Sequence, residues 1–167
     1  MLENSKAPLS MECRINRVPH HLCKVKEEAY TPLVISIGPI HHCNETLQNT
    51  EKHKVTYLKS FIEQNEAQPN LENLVSTIRG MEESIYNCYE ETISSSMHSD
   101  DFVKMILMDA IFILELFLRY DNKNWGSDDP IVENQWMYSV LMVDLLLLEN
   151  QLPFFVLEKL FNLAFPN

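Results

Sequence analysis

Glycine is scarce: the 167-residue chain has three, Gly38, Gly80 and Gly126. That argues against an all-β fold built on tight turns, which draw on glycine for positive φ. It also excludes glycine-rich phosphate loops, where several neighbouring glycines let backbone amides reach an anion. The four cysteines, Cys13, Cys23, Cys43 and Cys88, include no C-x-x-C pair. The opening "MLENSKAPLSMEC" lacks a charged stretch followed by an apolar one, so no secretory signal is expected and the thiols should be free in a reducing compartment. Asn44-Glu45-Thr46 then reads as a chance glycosylation match. Long uncharged runs are missing too. The most apolar stretch, 102–120, is interrupted by Lys104, Asp109, Glu115 and Arg119, whereas a membrane helix needs about 20 mostly apolar residues. Residues 145–157 fail in the same way, at Glu149 and Pro153. Neither Gly-x-Ser-x-Gly nor Glu-x-x-His occurs, which removes the nucleophile elbow and the di-metal bundle motif.

What is present suits a helical globular chain. The hydrophobic fraction is 46%, enough for a real core. The formal charge of −11 is uneven: residues 1–60 hold eight Lys or Arg against six Asp or Glu, and the remainder five against eighteen. The acidic part would repel a polyanion, so no nucleic-acid partner is expected. Residues 1–13 read as a flexible tail. Residues 14–45 are irregular, with an extended piece at 33–37 clamped between Thr31-Pro32 and Gly38-Pro39, because pre-proline residues avoid the helical region. Helical periodicity follows over 46–65, with Leu47, Leu58, Phe61 and Ile62 on one face, and over 71–93 after an Asn70 cap. Ser99 or Asp100 is expected to cap the next helix, to about Tyr120. Asp129 before Pro130 predicts another from 131 to 151, and Pro153 restarts a short one to about Leu163. The 102–119 and 135–149 segments are apolar nearly all round and should be central; the 71–93 helix has a polar face and should be peripheral. The expected fold is mostly α: an irregular N-terminal loop segment packed on a bundle of about five helices, forming an incomplete domain, since no polar cap closes "LAFPN".

Three constellations could carry chemistry. His20, His21, Cys23, His41, His42 and Cys43 are zinc-ligand types, but they lack the two separated knuckles of structural sites, and adjacent residues in an extended segment point opposite ways. Loop histidines bonding to backbone are the simpler reading. Asp109 and Glu115 share one apolar helix, Asp144 and Glu149 another. Spacings of six and five residues turn each pair by roughly 120–140° around the helix, off a common face. Buried acids must be paired, so these are expected to accept bonds from backbone groups of the N-terminal loop or from Arg14, Arg17, Lys24 and Lys26. The eight methionines fall mainly at core-like positions and are read as filling. No metal or cofactor is expected.

Four stretches, "RVPHHLCKVKEEAYTPLVISIGPIHHC", "EKHKVTYLKSF", "DDFVKMILMDAIFILELFLR" and "DLLLLENQLPFFVLEKLF", resemble the N-terminal part of the plant domain-of-unknown-function family 247, also called UPF 0481, from about Ile15 to Phe165. The family loop commonly runs Tyr-x-Pro and then Ile-Gly-Pro-x-His-His-Gly; Tyr30, Pro32, Ile37, Gly38, Pro39, His41 and His42 match it, and Cys43 departs where glycine is usual. The motif residues for which the resemblance implies a structural or interaction role are Arg17, Val18, Pro19, Tyr30, Pro32, Gly38, Pro39, His41, His42, Asp109, Glu115, Asp144, Glu149, Asn150, Gln151 and Pro153. The resemblance places 14–167 in the N-terminal part of the family domain. It implies plant proteins without assigned catalytic activity, several hundred residues long, tied to a membrane by a C-terminal span that this chain lacks; some are linked to self-incompatibility or stress response. The resulting expectation is a non-enzymatic protein-interaction domain with an unknown protein partner. This chain alone would be cytoplasmic, whereas the family resemblance implies a membrane location. The alternatives are a metal-dependent or hydrolase-like enzyme using His41, His42 and Asp109 or Asp144, and a truncated non-functional fragment.

Overall fold

A computed structural model describes residues 14–64, 70–89, 97–126 and 129–166. The tail expected over 1–13 and most of the polar break at 65–70 lie outside them. The longest helix, α4 (Ser99–Asn122), is the axis of the molecule: α2 (Gln48–Gln64), α3 (Leu71–Tyr86) and α7 (Phe154–Ala164) all pack on it. It buries apolar residues on every side, from Phe102 and Val103 through Ile111 and Phe112 to Leu116. That matches an apolar pattern with no polar face. Its N-cap is His98, which makes no side-chain cap bond, so the expected Ser99 and Asp100 fall inside the helix instead, where Asp100 and Asp101 are exposed first-turn acids facing the positive end of the helix dipole.

α3 shows how local chemistry sets an element. Asn70 accepts from Asn73 N at 3.0 Å, satisfying one of the orphan donors of the first turn. Leu74, Ile78 and Ile85 are then buried at helical spacing, each worth about 1.5–3 kcal/mol of apolar transfer. The helix stops at Tyr86, short of the expected 93, because Ile15 pairs with Tyr89 as an isolated parallel bridge, with Ile15 N bonded to Cys88 O at 2.7 Å. Of the expected continuation, 90–93 lies outside the described residues.

The helix expected from 131 to 151 is broken. It becomes α5 (Pro130–Glu133), α6 (Gln135–Asp144) and a turn over 145–152. Asp129 does cap α5, accepting from Ile131 N at 3.0 Å. The expectation that 135–149 is central fails: α6 buries only Leu141 and Asp144 among its residues, and Val143 stays 59% exposed. The one described face of α6 that meets the core is thin, and its apolar composition is spent at the surface. Five helices of ten residues or more (α2, α3, α4, α6, α7) thus form the bundle among the described residues. The N-terminal segment lies against it, carrying only the one-turn α1 (His20–Cys23) and two 3₁₀ turns.

Candidate functional site

Residues 33–38 cross the interior as neither helix nor strand, with Val34, Ile35, Ser36 and Ile37 all buried. Backbone polar groups in such a segment need partners from elsewhere, and side chains distant in sequence supply them. Asp144, the last residue of α6, accepts from Leu33 N at 3.0 and 3.1 Å, Val34 N at 2.6 Å and Ile35 N at 3.0 Å. Asn150 accepts from Ile37 N at 2.6 Å and donates to Ile35 O at 3.0 Å. Asp109 accepts from Gly38 N at 2.8 Å, and the Thr50 hydroxyl donates to Val34 O. Lys54, fully buried, donates to Ser36 O at 2.7 Å, Asp109 Oδ1 at 2.5 Å and Glu51 Oε1 at 2.6 Å. Its three N–H donors therefore each have an acceptor. Burial pushes the Asp109 carboxyl up from its ordinary range, with the Lys54 ammonium and the Gly38 N–H pulling against it.

Gly38 is required at the end of this segment. Its φ is +74°, and a Cβ there would stand 2.6 Å from Gln151 O and 3.0 Å from the Tyr89 hydroxyl oxygen. That hydroxyl donates to Gln151 O at 2.9 Å. The Gln151 amide closes its own turn, donating to Leu145 O at 2.7 Å and Leu147 O at 2.8 Å. Glu149 accepts from Val18 N at 2.5 Å, and its other oxygen lies 3.4 Å from His41 Nε2, too poorly aligned to count as a hydrogen bond. Burial holds the His41 imidazole below its ordinary 6.5, opposed by Glu149, assisted by Arg17 and opposed again by Asp144. Pro32 and Pro39 are buried at the ends of the segment; Pro19 and Pro153 cap α1 and α7.

Val18, Gly38, Asp109, Asp144, Glu149, Asn150 and Gln151 thus share one clasp that ties the N-terminal segment to α4, α6 and the 145–152 turn, whereas Arg17 is exposed and Tyr30 lines the groove outside it. Glu115 stands apart from it. It accepts from Arg119 Nε at 2.7 Å and Gln64 Nε2 at 3.2 Å, while Arg119 Nη1 donates to Asp129 at 2.6 Å and the Tyr57 hydroxyl donates to the same Asp129 oxygen at 2.8 Å. Arg119 also sits 4.1 Å over the Tyr57 ring. Burial, with Asp129 adding, raises the Tyr57 hydroxyl far above its usual range. The acids are therefore met by backbone N–H groups, Lys54 and Arg119, whereas Arg17, Lys24 and Lys26, expected as counter-charges, are exposed. Sequence spacing alone gives Lys54, Tyr57 and Arg119 no role. Their signal was an interrupted stripe: Lys54 lies seven residues from Leu47 and Phe61 on the apolar face of α2, opposite a helix whose apolar run is broken by Asp109.

As chemistry, the clasp binds backbone: its carboxylates are met by backbone N–H groups and by Lys54, and the buried Ser36 hydroxyl donates to Glu51 Oε1 at 2.9 Å. His20 and His21 are exposed on α1 and His41 and His42 are half-buried in the loop, so the two histidine pairs differ in surroundings. Among the described residues no three His, Cys, Asp or Glu side chains are grouped as metal ligands, and Cys23, Cys43 and Cys88 form no disulfide with one another. The outer side of the clasp forms a groove of about 740 Å³. Ile15, Val18 and Leu22 form one wall and Leu146 and Leu148 the other, with Arg14 and Arg17 among the lining. Leu146 is 80% exposed and Leu148 68%.

Residues 15–167 match the family described as DUF247, plant protein of unknown function. The chain belongs to the DUF247 family. Its relatives include the UPF0481 protein At3g47200 of Arabidopsis thaliana, 37% identical over 150 residues, a match covering 89% of this chain and 31% of that protein. A putative UPF0481 protein of the same plant, At3g02645, is 26% identical over 145 residues, covering 87% of this chain and 26% of the relative. The matched region therefore spans about a third or less of these DUF247 relatives. No solved structure matches the chain. Among the described residues no helix is long and apolar enough to cross a membrane.

Proposed function

We propose that this DUF247 chain is a non-enzymatic protein-interaction domain whose groove between the N-terminal segment and the 145–152 turn docks an acidic, amphipathic segment of a partner protein. The observation that carries the reading is the pairing of exposed Leu146 and Leu148 with Arg17 at one groove. Contiguous exposed apolar patches mark interaction sites, and Leu146 and Leu148 lie in the same groove lining as Ile15, Val18 and Leu22. Arg17 adds a positive charge to an otherwise acidic chain, which favours an acidic occupant in encounter and register. Two polar motif residues support the reading indirectly: Glu149 holds Val18 N on one wall, and Gln151 closes the turn that carries the other. Membrane attachment, implied by resemblance, is assigned in this reading to parts of the longer relatives outside the matched region.

The test is fluorescence anisotropy with a labelled helical peptide carrying one leucine face and one glutamate face, against its lysine-faced counterpart. The acidic peptide is expected to bind at least about tenfold tighter, a difference of about 1.4 kcal/mol. The surface variants Leu146→Gln/Leu148→Gln and Arg17→Glu are expected to abolish that preference. Equal binding of both peptides, or binding unchanged by the variants, overturns the proposal. Concentration-dependent dimerisation by light scattering that the leucine variant removes would instead assign the groove to a second copy of the chain.

A further inference from the structure

A second recess lies at the opposite end of α6, apart from the clasp. It has a volume of about 540 Å³ and is lined by Tyr120, Trp125, Glu133, Gln135 and Tyr138. Tyr120 comes from the end of α4, Trp125 from the turn after it, Glu133 from α5, and Gln135 and Tyr138 from α6. The Trp125 and Tyr138 rings pack edge to face, at 86° with centroids 6.1 Å apart, and both line the recess. Tyr120 is 62% exposed and supplies a third ring. The Glu133 carboxylate is exposed and has no ion pair or side-chain hydrogen bond among the described residues. Nothing in the clasp, the groove or the Arg119 cluster uses these groups.

From this arrangement we infer that the recess binds an organic cation of the quaternary-ammonium class. Aromatic faces carry negative potential and attract a cation placed over them, and three aromatic rings line this recess. A methylated ammonium suits the lining better than a primary one. It sheds weakly held water, and its methyl groups pack on the ring faces without calling on the oxygens of Tyr120, Glu133, Gln135 and Tyr138. The exposed Glu133 carboxylate in the lining supplies the opposite charge. An anion would meet both ring faces and Glu133 unfavourably. A sugar would want one flat ring bordered by several hydrogen-bonding groups, and the 86° angle breaks up such a platform. The volume falls in the range of small-molecule sites, about 300–1,000 Å³.

The experiment uses choline and its uncharged carbon isostere, 3,3-dimethylbutan-1-ol. The chain has two tryptophans, so the Trp136→Phe variant leaves Trp125 as sole reporter, and its fluorescence is followed on titration. Saturable quenching by choline is expected, with the isostere at least about tenfold weaker. Glu133→Gln, an exposed change that should leave folding intact, is expected to weaken choline severalfold. Tyr138→Ala should abolish the response. A merely linear response to choline, an equal response to the isostere, or an unchanged dissociation constant in Glu133→Gln overturns the inference. Because the recess is separate from the groove, neither result bears on peptide docking there.

Discussion

Asp109 and Glu115 stand six residues apart on the same buried helix, and they anchor different kinds of network. Around Asp109 and Lys54, the bonds run to main chain: Gly38 N, Ser36 O and, through the neighbouring Asp144 and Asn150, the rest of the 33–37 segment. Around Glu115 and Arg119, the bonds run between side chains, with Gln64, Tyr57 and Asp129. α2 serves both, presenting Lys54 to the first and Tyr57 to the second. The first network decides whether a strandless segment can be buried at all. The second joins helices that already pack through Tyr57 and Phe112, whose rings lie 4.8 Å apart. Similar acids in a similar sequence setting therefore carry unequal structural consequence, because an unmet backbone group has no other conformation to escape to.

The largest effect should follow from Asp144→Ala. It strips the acceptor from three backbone N–H groups, at about 1–3 kcal/mol for each one left buried and unmet. Against a total stability of about 5–15 kcal/mol, the expected outcome is loss of a cooperative urea transition or a marked fall in its midpoint. A loss under about 1 kcal/mol would mean the segment holds itself and would break the comparison. Next comes a matched pair, Lys54→Met and Arg119→Met. Lys54→Met leaves the buried Asp109 carboxylate with no cation and only the Gly38 N–H, and should cost about 3–5 kcal/mol. Arg119→Met should cost less, about 1–3 kcal/mol, since Glu115 keeps Gln64 and Asp129 keeps Tyr57 and Ile131 N. Equal losses by chemical denaturation would erase the distinction between the two networks.

The smallest effect is a pH dependence. Burial depresses the His41 imidazole below 6.5, so the unfolded chain binds the proton more readily than the folded one. His41 thus contributes stability that is present above about 6.5 and lost as pH falls through its lower folded value. Comparing urea midpoints of the native chain and His41→Gln between neutral and mildly acidic pH should show the gap narrowing as pH falls. A gap that widens on acidification would show that Glu149, not burial, dominates at His41.

The contrast between α4 and α6 marks how far the sequence can be read. Both segments are apolar nearly all round, yet α4 is enclosed by three helices while α6 leaves Trp136 64% and Val143 59% exposed. Hydropathy reports the tendency of a side chain to leave water; it does not report whether a neighbour arrives to cover it. Local signals fared better. Asn70 and Asp129 cap helices as their types imply, and the Pro32–Pro39 interval is the clamped loop its prolines predict. The His98 cap was invisible because it uses backbone geometry without a side-chain bond.

The helix starts at Asn70 and Asp129, the proline-bounded loop and membership of a helical class were readable along the chain, because periodicity, caps and pre-proline restriction act between residues a few positions apart. The partners of the buried charges were not. Lys54 meets Asp109 across 55 positions and Ile35 meets Asp144 across 109, and no rule of spacing links residues so far apart. Folding chose among several available cations and acids by which of them the packed helices brought within hydrogen-bond reach. Burial then made that choice binding, since a charge removed from water must be met by whatever group stands beside it.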